Sequence, residues 1–319
     1  MKIYGGIDIG GTSIKLGYVA EDGELLCKDN IPIHTLPTYQ DLIEAVYEKM
    51  TALAAELGNA AIQGYGVGSP GNINSKSGEV VWLQGKLEYL QGQNVIQDLK
   101  RKFGKPILFD NDVNTILMGE WQFGAAKNYQ NVLGLTLGTG IGGAIIINGK
   151  LVHGAHHASA NFGYLSMRPD GIPHVCGNAG AVENYASHAG LVDRVKNRLA
   201  EGAESSLSAR LAADGPEFGF RQVFEESGKG DPLAVELIDD FVKELAVLLA
   251  NLLLAFDPEA ILIGGGIIKA GPAFFKRITD TAKSRIASFP AETIHILPMS
   301  LGEYAGIYGG AALVVEGLK

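Results

Sequence analysis

The chain has 319 residues, too many for one ordinary core and comfortable for two domains of about 150 residues each. Hydrophobic residues make up 46% and charged residues 19%, with 43 glycines, which excludes a disordered or coiled-coil chain and describes a turn-rich α/β protein. A formal net charge of −9 argues against a general nucleic-acid surface, and the two cysteines, Cys27 and Cys176, lie far apart and give no disulfide framework, which suits a reducing compartment.

The first residues run straight into a strand pattern, without the apolar stretch and small-residue cleavage site of a secretory signal, so a cytoplasmic protein is expected. Ile3–Ile9 and Ile14–Ala20 read as strands joined by the tight turn Gly10-Gly11-Thr12-Ser13, and Asp22-Gly23 marks a hairpin before Glu24-Leu25-Leu26. From Thr38 to Leu57, Leu42, Ile43, Val46, Met50, Leu53 and Leu57 recur at helical spacing, with Thr38 and Asp41 as a capping box. This helix is predicted to cover the first sheet, which strands at Gly64–Gly68 and Pro106–Phe109 complete.

Val132–Val152 repeats the opening phrase: a strand, the glycine turn Gly138-Thr139-Gly140-Ile141-Gly142-Gly143, a second strand, the hairpin Asn148-Gly149 and a third strand, which points to a duplicated α/β unit. Residues 201–230 are polar and Gly-rich with several Phe, and read as short helices and loops. Asp231-Pro232 starts and Asp257-Pro258 stops a long helix before the strand Ala260–Ile263. Its stretch Leu233–Phe256 is the most apolar of the chain but carries Glu236, Asp239, Asp240, Lys243 and Glu244. Each Asp or Lys would cost roughly 2.5–3.5 kcal/mol at a bilayer centre, so the segment reads as a buried helix and no membrane partner is expected.

Glycine-rich turns after strands offer closely approachable N–H donors to phosphate groups. Three occur here: Gly10-Gly11-Thr12, Gly138-Thr139-Gly140, and Gly264-Gly265-Gly266. Each alone is more often a plain hairpin or bulge, but together they point to a nucleotide. Asp8, between Ile7 and Ile9, stands where strand alternation turns it toward the first of these turns, able to hold Mg²⁺ directly or through water, or else to cap the turn's amides. The pattern Gly-x4-Gly-Lys-Ser/Thr is absent, so the phosphates would be held by hairpins.

Five phrases, Asp8-Ile-Gly-Gly-Thr-Ser-Ile-Lys15, Gly66-Val-Gly-Ser-Pro-Gly71, Asn111-Asp112-Val-Asn114, Leu137-Gly-Thr-Gly-Ile-Gly-Gly143 and Ile263-Gly-Gly-Gly266, occur in this order over nearly the whole length. In them the chain resembles the ROK family of bacterial sugar kinases and repressors, within the sugar-kinase, Hsp70 and actin superfold. The resemblance implies an α/β, two-lobed, actin-like ATPase (ribonuclease H-like) fold with the active site in the interdomain cleft. The lobes expected are 1–115 with 303–319, and 116–302. It further implies ATP and Mg²⁺ as cofactors, a homodimer, and a sugar as substrate. Asp112 would be the general base and Asn111 would hold the substrate beside it, a role compatible with Asn-Asp capping the helix through Leu117 and Trp121. Asp8, Gly10, Gly11, Thr12, Lys15, Gly138, Thr139, Gly140, Gly265 and Gly266 would hold the nucleotide, with Asp8 toward the metal. Gly71, Lys86, Asn161, Tyr164, His174 and Glu183 would line the sugar site.

The pattern breaks where the family's glucokinases bind sugar and zinc. Their Glu-x-Gly-His phrase reads Asn161-Phe-Gly-Tyr164 here, and Cys-x-Cys-Gly-x-x-Gly-Cys-x-Glu reads His174-Val-Cys176-Gly-Asn-Ala-Gly-Ala181-Val-Glu183. Three of the four zinc ligands are changed, so no structural zinc is expected. The same changes remove hydroxyl-binding groups, which predicts a sugar other than glucose as the preferred substrate. Glu183 would contact the sugar or cap the following helix. Lys86 would greet an acidic sugar or simply face solvent. His153, His156 and His157 are read as substrate contacts or loop packing. Two rivals remain. A ROK repressor would need an N-terminal winged helix, whereas this chain opens on the first phosphate strand. A non-catalytic sugar-binding protein would not be expected to keep Asp8, Asp112 and all three glycine turns.

Overall fold

A computed structural model describes residues 1–58, 61–83 and 87–319 of the chain. Its backbone divides into two compact units, one of 1–134, 144–159 and 299–319, the other of 135–143 and 160–298. The expected boundary after residue 115 runs through the helix Asp112–Phe123, which stays whole in the first unit because Thr115 and Gly119 pack against Gly309 of the C-terminal helix.

In the first unit a five-stranded sheet runs Leu25–Pro32, Ser13–Ala20, Lys2–Ile9, Ala61–Ser69, Ile107–Asn111 in spatial order. The first three strands are antiparallel hairpins, and the last two run parallel to Lys2–Ile9. Alternation sorts the side chains of Lys2–Ile9. Ile3, Ile7 and Ile9 join Leu42, Ile43, Val46, Met50 and Leu53 of the helix Tyr39–Glu56, whose Thr38–Asp41 capping box forms as its sequence predicts. Tyr4 faces the other way, toward Ile307, Ala311 and Val314 of the helix Ala305–Gly317. Asp8 shares this second face. Register aligns Lys15, Asp8, Gly68 and Asp110 in one row across the sheet, so the row's side chains project on the same side.

The C-terminal helix lies directly on backbone. A Cβ at Gly6 would overlap the carbonyl of Ile307, and one at Gly66 the carbonyl of Gly310. The segment leading into this helix is held by Glu120, which is fully buried and accepts hydrogen bonds from the backbone N–H of Ser300 (2.7 Å), Leu301 (2.8 Å) and Ala125 (2.9 Å) and from the Ser300 hydroxyl (2.9 Å).

The second sheet has the order Lys150–Leu151, Ile141–Ile147, Val132–Leu137, Ala260–Gly264, Ile296–Pro298, the same strand sequence as the first sheet, as the internal repeat predicts. The second unit is built around the helix Pro232–Phe256, begun by Asp231, whose carboxylate accepts the Ala234 N–H at 2.9 Å, and stopped at Asp257 in the left-handed region. Among the described residues no helix is long and apolar enough to cross a membrane. The segment 201–230 contains the helices Leu207–Asp214 and Phe220–Gly228.

The contact of helix on sheet predicts that Gly66→Ala lowers the unfolding free energy by about 3 kcal/mol or more, since neither backbone can yield locally. Urea denaturation measures this, and a loss under about 1 kcal/mol would show that the helix can lift off the sheet without cost.

Candidate active site

The strand Ile107–Asn111 passes directly into the helix Asp112–Phe123. Asn111 caps that helix, its side-chain oxygen accepting the N–H of Val113 (2.9 Å) and Asn114 (3.3 Å), while its amide donates to the carbonyl of Gly71 at 3.0 Å. Gly71 has φ of +99° and no room for a Cβ beside the Trp82 carbonyl, so only glycine supplies this acceptor without strain. Asp112 begins the helix and accepts the Val113 N–H at 2.9 Å. Burial holds its pKa above the ordinary carboxylate range, opposed by backbone N–H groups and the Asn111 side chain. The capping reading of Asn-Asp is borne out by these bonds.

Asp8 lies on the same sheet row as Asp110 and against Gly306, where a Cβ would strike its carboxylate. Burial first and the Asp112 carboxylate second push its pKa up to about 6, against the pull of Lys15. Lys15 itself donates to the Glu303 carbonyl at 2.8 Å. Among the described residues no hydrogen bond reaches the Asp8 carboxylate, and a second carboxylate repels it. Such an oxygen ligand is of the kind a hard divalent cation such as Mg²⁺ takes, although among the described residues no group of three or more His, Cys, Asp or Glu gathers to hold a metal. In the adjoining turn, Gly10 donates its N–H to the Ser13 carbonyl (3.1 Å), whereas a Cβ at Gly11 would meet nothing within 4 Å, which leaves Gly11 and Thr12, both exposed, open to an approaching anion.

In the second unit the carbonyls of Gly138 and Thr139 accept the N–H groups of His188 (3.0 Å) and Ala189 (3.1 Å) at the start of the helix His188–Ala200. The two other glycine turns differ in what they require. Gly138 and Gly266 face open space, whereas a Cβ would strike Glu183 at Gly140 and the Leu137 carbonyl at Gly265. Gly138, Thr139 and Gly266 border a cavity of about 640 Å³, with Phe220, Arg221 and Lys269 among its walls. This size suits a nucleoside. Phe220 and Arg221 come from residues 201–230, which the sequence reads only as short helices and loops.

Of the expected sugar-site residues, Asn161 is exposed and its carbonyl accepts the Tyr164 N–H at 3.0 Å. Tyr164 packs on the His174 ring at 4.9 Å, and burial, then Glu183 and Cys176, raise its pKa. Glu183 has both oxygens engaged, one with the Ile141 N–H (2.6 Å) and one with His174 Nε2 (3.1 Å). His174 Nδ1 accepts the Cys176 N–H at 3.2 Å, which makes Nε2 the donor to Glu183. The changed zinc phrase thus closes on itself through hydrogen bonds, with Tyr164 and Ala181 offering no thiolate or imidazole, and this donor set does not fit a structural zinc. Lys86 lies outside the described residues. Sequence reasoning did not single out Asp110. It is 3% exposed and pairs with His153 Nε2 at 2.6 Å.

A ROK family model matches residues 4–316. The chain is 31% identical over 314 residues to a glucokinase of Thermotoga maritima, covering 98% of this chain and 96% of the relative. It is 29% identical over 328 residues to an N-acetyl-D-glucosamine kinase of Aliivibrio salmonicida, covering 98% of this chain and the whole relative. Among solved structures, a ROK family glucokinase from Streptomyces griseus in complex with glucose and AMPPNP superposes with a TM-score of 0.78 at 30% identity, over 99% of this chain and 100% of that one. The fold is the actin-like ATPase fold of these kinases, and the chain belongs to the ROK family.

Because Asp8 binds its proton more tightly when folded than unfolded, the metal-free protein loses stability as pH rises from the ordinary carboxylate value through about 6. Asp8→Asn is expected to raise the metal-free Tm at neutral pH and to leave it little changed near about pH 4, and added Mg²⁺ to stabilise the wild type and not the variant. Differential scanning calorimetry reads all of these. Equal Tm for both proteins at neutral pH would show that the Asp8 charge carries no penalty.

Proposed function

We propose that the protein is an ATP-dependent sugar kinase, transferring the terminal phosphoryl group of ATP to a hydroxyl of a hexose or hexose derivative, with glucose a poor substrate. The observation that carries this is the Asn111–Asp112 junction, a carboxylate of raised pKa fixed at a strand end by its own helix and by a neighbour that also buttresses Gly71.

Phosphoryl transfer has a loose transition state, so the protein's work is placing an in-line hydroxyl, spreading phosphate charge and taking one proton. The hydroxyl oxygen attacks the terminal phosphorus, its proton passes to an Asp112 oxygen, and the bond to the bridging oxygen breaks with ADP leaving. Asp112 must therefore start ionised, so turnover rises as pH rises through its raised pKa. The N–H groups of Gly11 and Thr12 in the first unit and of Thr139 in the second would receive phosphate oxygens, and the cavity beside Phe220 and Arg221 would take the base and ribose. Mg²⁺ held near Asp8 would neutralise phosphate charge when bound. Asp112→Asn is expected to lower kcat by about 10²–10⁴-fold with ATP affinity retained. Near-normal turnover in that variant would remove Asp112 from the role.

The sugar reading rests on Asn161, Tyr164 and Glu183. Where the resemblance implies a carboxylate and an imidazole for sugar hydroxyls, this chain has an amide and a phenol, and Glu183 already accepts two hydrogen bonds. A pocket whose polar groups are exchanged discriminates differently and does not merely bind more weakly. The relatives named for glucose and for N-acetylglucosamine bracket the chemistry. A kcat/KM panel of hexoses, N-acetylated amino sugars, polyols and sugar acids is expected to place glucose well below the best substrate. Glucose at the top of the panel would overturn the specificity while leaving the kinase assignment standing.

A further inference from the structure

The strand residue before Asn111-Asp112 is Asp110, a buried carboxylate with every described contact directed at this junction or at one imidazole. Its Oδ1 accepts the Asn111 N–H at 2.7 Å and the Asn114 side-chain amide at 2.8 Å. Its Oδ2 meets His153 Nε2 at 2.6 Å, an ion pair when the imidazole is protonated. His153 sits on the loop that follows Lys150–Leu151 and precedes Asn161 by eight residues. That loop is closed by the Ser159 N–H on the His153 carbonyl (3.3 Å) and by the Ser159 hydroxyl on the Val152 carbonyl.

We propose that His153 and Asp110 form a positioning pair that fixes the Asn111–Asp112 junction for phosphoryl transfer, and that turnover depends on the proton His153 carries. This rests on the reading of Asp112 as the base. A tie between loop and strand needing only strength could be apolar at lower cost, because even a pair with one buried and one half-buried partner must recover its desolvation. What the pair adds is direction. Asp110 orients the Asn111 N–H and Asn114, whose own N–H rests on Asn111 Oδ1, so the cap of the base-bearing helix is set from beneath. Removing the imidazole leaves Oδ2 buried without its partner, and the carboxylate must then rotate or protonate, releasing the cap.

The groups that bear on His153 are Asp110, which raises its pKa above the ordinary imidazole value, and Lys76, which opposes that rise together with burial. The imidazolium therefore persists through the usual imidazole range and is lost as pH rises beyond it. Turnover is expected to fall there, on the alkaline side, whereas Asp112 sets the acid side.

Two measurements test the pair. An NMR titration of the imidazole signals, with His153→Gln assigning the one that belongs to His153, is expected to give a midpoint above about 6.5 that drops in Asp110→Asn. Kinetics use the fastest sugar of the panel. His153→Ala is expected to lower kcat by about 10- to 100-fold with KM for ATP unchanged, the cost of a small misplacement of the base. His153→Gln, which keeps a donor but cannot titrate, should retain more activity and lose the alkaline fall. The Asp110→Asn/His153→Ala double variant should be no worse than the poorer single, as expected of residues acting as one unit. Losses that multiply, an alkaline fall that survives in His153→Gln, or a His153 midpoint indifferent to Asp110→Asn would each overturn the proposal. Should His153→Ala not fold, the Gln profile and the titration decide. An inactive Asp112→Asn beside unaffected His153 variants sinks the pair alone, whereas an active Asp112→Asn sinks the base reading itself.

Discussion

The first unit depends on a single close approach, the C-terminal helix resting on the backbone of the central strands. Gly6 and Gly66 leave no side chains between strand and helix, and Gly310 returns the same allowance from the helix. Close approach of this kind makes the spacing rigid, because no side chain can change rotamer to absorb an error. Its effect extends to chemistry. Gly306 of the same helix stands against Asp8, and Gly309 against Thr115 of the helix that begins with Asp112. Two residues of the proposed transfer machinery are therefore located against one rigid element, whose leading segment is anchored by three hydrogen bonds to Glu120.

Rigid placement allows the first unit to hold three acids, Asp8, Asp110 and Asp112, that would otherwise destabilise one another. Each is handled differently. Asp112 is answered by backbone N–H groups at the start of its helix, a neutral device that keeps the oxygen available as a proton acceptor. Asp110 is answered by an imidazole and two amide donors, which consume its hydrogen-bonding capacity and make it a strut. Asp8 is left raised to about 6 by burial and by Asp112, with only the pull of Lys15 against them.

How much of this was legible in the sequence depended on range. The strand–turn–strand phrases, the Thr38 cap and the long helix from Pro232 are local patterns and read correctly, as did the repeated sheet, because period and turn residues act over a few positions. Asp8 stood out as a carboxylate between Ile7 and Ile9 beside a glycine turn, and Asn111-Asp112 through the family resemblance. Asp110 did not, although it adjoins them, because its meaning comes from His153, 43 residues away. Gly140 and Gly265 read as phosphate contacts like their neighbours. Their lack of a side chain is needed against Glu183 and Leu137, and a one-dimensional motif cannot separate glycine kept for packing from glycine kept for a ligand. The cavity wall at Phe220 and Arg221 was hidden for the opposite reason, since helices of nine residues or fewer leave too few turns for a period to show.

The changed zinc phrase carries the argument one step further, to the sugar. A hairpin held by metal can leave its neighbouring carboxylate free, because the coordination bonds supply the rigidity. Here the hairpin closes through His174, which donates to Glu183 and accepts from the Cys176 N–H, while Asn184 donates to the Ile172 and Pro173 carbonyls at 3.0 and 3.3 Å. Glu183 thereby becomes part of the support, bonded on one side to the hairpin and on the other to the strand that follows Gly140. A group so committed can orient a hydroxyl only by giving up a bond already made, which favours recognition by residues that hold fewer obligations. With both of its oxygens committed to the hairpin and to Ile141, Glu183 leaves any recognition beside it to other polar groups.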